Sequence, residues 1–285
     1  MNEIDEQLRK ENVPIHSRCI RAGGEYSRRY SLKFYIALEN DSGTLGNYSD
    51  EYVGGHIEGW YNRRYGDRQN IDMSLGSTAL ILRGDLWKLK LPYFLGRVRF
   101  AIERDLSKHN KAVITTQKLP VFNILPMIDG LTQELAWHLT DNECKNILII
   151  FSSMLHSFQL INGLKDYPYF LEIETDISTA VTVMFASRPH FGQSKWASSQ
   201  AAEKFIKCLL KSRNVPFPKN HNLQTLADLA SKEGVRLDTD VVSKASTAAG
   251  VRYGEIQVTA DEAVQAHYAS LVIGQQISHA VGKKI

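Results

Sequence analysis

In the stretch QAAEKFIKCLLKSRNVPFPKNHNL, from Gln200 to Leu223, Arg213 and His221 stand on either side of Pro216 and Pro218. A histidine can move a proton near neutral pH, and an arginine can hold an anion through its guanidinium fork. If the two met they would form a catalytic pair. The prolines forbid a continuous helix between them, so the alternative is structural: the break staples a helical hairpin, and His221 bonds the loop or caps the helix that starts near Asn222. The broken helix favours the staple. Arg188-Pro189-His190 sets a second arginine beside a histidine, in a loop between helices, while His267 and His279 stand singly on the last helical segment.

A different pattern occupies the N-terminal part. WYNRRYGDRQN, from Trp60 to Asn70, interleaves Tyr61 with Arg63, Arg64 and Arg68, and SRRYSLKFY adds Arg28 and Arg29. Rings that stack on bases, with guanidinium groups that neutralise phosphates, would make such a loop a contact for single-stranded nucleic acid. The plainer alternative is a solvated, tyrosine-rich hairpin. The glycine pairs at Gly23-Gly24 and Gly54-Gly55 lack nucleotide-loop spacing. Cys19, Cys144 and Cys208 lie far apart, and His, Cys, Asp and Glu show no metal-ligand rhythm. No metal and no cofactor are expected.

To place these residues the chain uses two textures. Ser31–Leu38, Ser77–Leu91, Gly96–Asp105 and Lys111–Gln117 alternate polar and apolar residues, the second around a turn at Gly84 and Asp85. Period-two alternation predicts an antiparallel sheet or small barrel, so residues 1–165 are expected to form a mostly antiparallel β domain with one or two helices. After Pro126 the period turns helical. Ile128–Leu139 predicts a short helix. Thr140 and Glu143 form a capping box for a longer one, with a stripe of Ile147, Phe151, Met154, Phe158 and Ile161 and a stop at Gly163. Lys165–Asp176 reads as an extended connector or strand at a domain boundary. Beyond it, stripes at Ile177–Phe185, Ala201–Leu210, Leu223–Ala230 and Val241–Ala249 are followed by a capping box at Thr259 and Glu262, which opens a last helix through Ile277. Short loops between such helices imply an antiparallel bundle over residues 166–285. The expected class is α+β.

Three segments in order, QAAEKFIKCLL (Gln200–Leu210), PKNHNLQTLADLA (Pro218–Ala230) and VRYGEIQVTADEAVQAHYASLVIGQQI (Val251–Ile277), resemble the signature helix, the helix entry and the closing helix of HEPN domains. The likeness covers roughly residues 165–280; the N-terminal half resembles no family. It implies an up-and-down bundle, often a homodimer, linked to RNA cleavage or to nucleotidyltransferase partners in toxin–antitoxin and antiviral systems. In the nuclease branch an arginine stabilises a phosphate, and a following histidine acts as general acid or base on the 2′-hydroxyl, without a metal. Arg213 and His221 match that pattern in part. Their spacing is longer than usual, prolines intervene, and His221 also matches a helix-entry histidine found in members without the nuclease motif. Arg252 and Tyr253 match the family's Arg-Tyr segment, where Arg252 would face a nucleotide phosphate or pin the last loop through a salt bridge.

Hydrophobic residues at 43% and charged residues at 23% allow a buried core and exclude wholesale disorder. A net charge of +3 neither demands nor excludes nucleic acid. Met1–Pro14 lacks the apolar core of a signal peptide, and the longest apolar run, Ile147–Phe151, is too short to span a bilayer. With unpaired cysteines, these features predict a cytoplasmic protein without a membrane partner. The first functional expectation is a HEPN-like accessory or sensor that binds RNA or nucleotides without chemistry of its own. A scaffold that dimerises through the bundle and docks a protein partner comes second. A ribonuclease using Arg213 and His221 comes third.

Overall fold

A computed structural model describes residues 1–31, 50–69, 74–94, 96–107, 120–219 and 221–282. The chain divides into two units, Met1–Met73 and Ser74–Ile285. The boundary expected near Lys165 therefore falls inside the second unit.

In the first unit, α1 (Asn2–Lys10), α2 (Ile15–Tyr30) and α3 (Asp50–Tyr65) bury Ile4, Leu8, Ala22, Ile57 and Tyr61 in one apolar cluster. Asp5 on α1 is also buried. The Tyr65 hydroxyl donates to its Oδ2 at 2.6 Å, and guanidinium nitrogens of Arg9, Arg64 and Arg18 lie 3.6, 3.7 and 3.9 Å away. Placing several cations around one carboxylate offsets the desolvation that would otherwise make it costly to bury. The expectation of a mostly β N-terminal region is corrected here, since the described residues of this unit are helical. Ile57, Tyr61 and Tyr65 recur four residues apart and so share a helix face, although their ring-rich composition suggests strand. Of the expected strand Ser31–Leu38 all but Ser31, and all of Lys111–Gln117, lie outside the described residues.

The second unit opens with the antiparallel hairpin β1 (Ser74–Leu82) and β2 (Asp85–Pro92). Its two-residue turn is Arg83-Gly84, one position earlier than expected. Both residues have positive φ, 55° and 86°, as the hairpin turn that matches strand twist requires, and glycine supplies the second at no steric cost. A second ladder is parallel: β3 (Arg99–Ala101) beside β4 (Val121–Asn123). The helices follow as α4 (Gln133–Trp137), α5 (Asp141–Asn162), α6 (Phe170–Met184), α7 (Phe191–Ser212), α8 (Leu223–Lys232), α9 (Thr239–Ala245) and α10 (Ala260–Gly282). The fold is α+β, with helix dominant.

Local chemistry explains the ends. At α5 the Thr140 hydroxyl accepts the Glu143 N–H at 3.2 Å, and the Glu143 carboxylate accepts the Thr140 N–H at 2.7 Å. The same reciprocal pair caps α10 through Thr259 and Glu262. Lys165–Asp176 is not extended: it enters α6 at Phe170, because Ile173 and Ile177 bury one helix face.

The core forms around α7 and α10. Helix α7 packs on α6, α8 and α10, and α10 also meets α5, α9 and β1. Ala201, Ala202, Phe205, Ile206, Leu209 and Leu210 are fully buried, as the stripe predicted. The Phe205 ring lies over Gly274 of α10, where a Cβ would come within 2.5 to 2.9 Å of ring atoms. Helix α10 docks on the hairpin through two polar contacts. His267 Nε2 is 3.1 Å from the Thr78 hydroxyl, and the Tyr268 hydroxyl donates to the Ala79 carbonyl at 2.6 Å. Among the described residues α5 is the one helix with the length and apolarity to cross a membrane; its stripe of Ile147, Phe151, Met154, Phe158 and Ile161 is part of this same core.

Candidate functional site

The break between α7 and α8 is built from its ends. Arg213 is the C-cap of α7, and Asn214 turns the chain with φ of 57°. Asn222 is the N-cap of α8, its side chain accepting the Thr225 N–H at 3.0 Å. The cap is thus Asn222 and not His221. His221 instead reaches back to α7, with Nδ1 2.8 Å from Glu203 Oε2. Glu203 is buried, and its other oxygen takes the Lys207 ammonium at 2.6 Å. A carboxylate can only accept, so Nδ1 is the donor in this bond; the His221 side chain is 65% exposed. The Trp196 ring lies 6.4 Å from the imidazole, centroid to centroid.

Arg213 takes no part in this. Its guanidinium donates to the Glu233 carbonyl and, at 3.4 Å, to the Ala280 carbonyl. The catalytic pair is therefore not assembled: Arg213 is spent on helix-end carbonyls, and the imidazole is held by Glu203. A carboxylate-held imidazole has its tautomer and orientation fixed, but the cation nearest to it in the network, Lys207, is engaged by Glu203 and sits 5.6 Å over the Phe217 ring. This arrangement staples α8 to α7. His221→Asn should keep most of the stability, whereas His221→Ala should lose about 1 kcal/mol, the usual worth of one such hydrogen bond; thermal melts of the two variants check this.

Glu203 was not legible as a partner, because it sits within the apolar stripe between Ala202 and Phe205. The signal was its very position, a charge on a face that has to be buried, which demands a pairing group. His190 is also structural: it is the N-cap of α7, its Nδ1 accepting the Gln193 N–H at 3.0 Å, beside an exposed Arg188.

In the first unit the rings and cations of the Trp60–Asn70 stretch part company. Its described residues, Trp60–Gln69, are the end of α3 and a following 3-10 turn, not a hairpin. Tyr61 is fully buried and presents no face to a ligand. Arg64 lies by Asp5 and 5.1 Å over the Trp60 ring. Arg63 and Arg68 are exposed. Arg28 pairs with Glu25, and Arg29 donates to Gln7 at 2.7 Å.

Arg252 and Tyr253 follow the short 3-10 turn Ala249–Val251. Tyr253 is 70% exposed, and the Arg252 guanidinium stands 5.8 Å over its ring. Among the described residues Arg252 makes no ion pair, so the salt bridge considered for it is not there. The pair is an exposed aromatic ring with a cation over one face. Among the described residues no group of three or more His, Cys, Asp and Glu is arranged to hold a metal ion. Comparison with family models, with curated proteins and with solved structures finds no match for this chain.

Proposed function

We propose that the unit Ser74–Ile285 is an RNA-binding accessory module without chemistry of its own, which meets single-stranded RNA at the Arg252–Tyr253 turn. The observation that carries this reading is the exposed Tyr253 ring with Arg252 over it and no ion pair to occupy the guanidinium. An exposed ring stacks on a base whatever its identity, and a neighbouring arginine neutralises the adjoining phosphate. The ordered likeness of Gln200–Leu210, Pro218–Ala230 and Val251–Ile277 to HEPN domains supports the same reading and adds a homodimer to it. The separate engagement of Arg213 and His221 speaks for binding over cleavage.

Labelled single-stranded RNA, followed by fluorescence anisotropy at low salt, should bind the wild-type chain. Tyr253→Ala should weaken that binding by roughly five- to a hundredfold, the worth of one base stack. Arg252→Gln should flatten its salt dependence. Absence of binding at low salt overturns the proposal. Cleavage of the RNA would replace it with a ribonuclease.

A further inference from the structure

Far from that turn in sequence, the segment around β3 and one face of α5 line an open surface cleft of about 420 Å³. Phe94, Arg97 and Phe100 line it on one side, and Leu155, His156 and Gln159 on the other. Its volume falls within the range of small-molecule sites. The apolar part is a chain of packed rings: Phe94 packs on Phe100 and Phe122 with ring centroids 5.2 and 4.8 Å apart, and Phe100 on the buried Phe151 at 5.1 Å. Four rings thus run from the cleft into the core, and Leu155 is buried behind it.

The polar part is uncommitted. Among the described residues Arg97, His156 and Gln159 make no hydrogen bond or ion pair. The His156 ring has the His279 ring of α10 as a neighbour at 6.2 Å. An apolar cleft with a few convergent polar groups at its rim is the form that small-ligand sites take. Here those groups are a guanidinium, an imidazole and an amide. The guanidinium fork matches the oxygens of a carboxylate or phosphate, and the aromatic wall offers edge or face contacts to a ring.

We infer that this cleft binds a small planar anion, an aromatic ring bearing one carboxylate or phosphate, with the ring against Phe94, Phe100 and Leu155 and the anionic group at Arg97 and His156. The site is independent of the RNA-binding turn, and neither reading rests on the other.

Isothermal titration of the full chain tests it with four probes: benzoate, adenosine monophosphate, adenosine and inorganic phosphate. Benzoate or adenosine monophosphate is expected to bind saturably with a Kd below about 1 mM. Adenosine and phosphate alone, each lacking one half of the ligand, should bind at least roughly tenfold more weakly. Arg97→Gln should weaken the bound anion by roughly ten- to a hundredfold, the worth of a charge-assisted hydrogen bond. Gln159→Trp, on the exposed face of α5, should fill the cleft and abolish binding, whereas Tyr253→Ala should leave it unchanged. Preference for adenosine monophosphate identifies a nucleotide, and preference for benzoate an aromatic acid. The inference is overturned if neither anion binds below about 1 mM, if phosphate alone binds as tightly, or if binding survives both Arg97→Gln and Gln159→Trp.

Discussion

Phe205→Ala is expected to destabilise the unit Ser74–Ile285 by about 3–5 kcal/mol, a fall in Tm of roughly 6–20 °C for a unit of this size. The ring is fully buried in the middle of α7 and lies directly over Gly274 of α10. Truncation removes the ring's apolar burial and leaves a void whose far wall is backbone. Glycine has no side chain that could swing in to fill it, so the cavity persists and the cost falls toward the upper end of the range. Phe205→Leu keeps part of the volume and should lose less. Differential scanning calorimetry of both variants decides the matter, and a Phe205→Ala melt coincident with wild type would mean that the α7–α10 contact is not built this way.

The second large effect is on acid stability. His267 is fully buried, with Nε2 at the Thr78 hydroxyl and no hydrogen-bond partner for Nδ1 among the described residues. Burial holds its pKa down at about 4, against 6.5 for a free imidazole. The unfolded chain therefore takes up a proton at a pH where the folded chain refuses it. Above pH 6.5 both states are neutral and the contribution is fully present. It drains away as pH falls from about 6.5 to about 4, and levels off below that, once the folded state protonates as well. The loss integrates to about 3 kcal/mol. His267→Gln can keep a bond to Thr78 but cannot titrate. Urea unfolding at pH 7, 5.5 and 4 should show the wild type losing about 3 kcal/mol more than this variant over the range, and parallel losses in the two proteins would contradict the account.

What could be foreseen from sequence was local. The capping boxes at Thr140 and Glu143 and at Thr259 and Glu262 need residues only three apart, and both formed. The α7 stripe is a periodicity of one helix, and it is buried as expected. What escaped depends on distance along the chain. Arg213 bonds carbonyls 20 and 67 residues further on, and no pattern in its own neighbourhood announces them. The α5 stripe predicts a buried helix but not that α10, more than a hundred residues further on, is one of its neighbours. Aromatic composition is a poor guide here as well: among arginines Tyr61 reads as an exposed ring, in a stacking loop or a solvated hairpin, while its spacing from Ile57 and Tyr65 puts it on the inward face of α3. Lys165–Asp176 is a similar case, since Ile173 and Ile177 share a face only if the segment is helical. The cleft joins Arg97 to His156 across two segments, each of which alone suggests nothing more than a strand edge and a helix surface.

The position of Arg213 bears on how the molecule opens. The last carbonyls of a helix lack partners within it, and helix ends ordinarily fray one by one. Here a single guanidinium, itself on the C-cap of α7, bonds the carbonyl at the C-cap of α8 and one in the final turn of α10. None of the three ends can loosen without breaking a bond that also holds another. This end of the bundle is therefore expected to open as one cooperative block, its amides protected from or exposed to solvent exchange together.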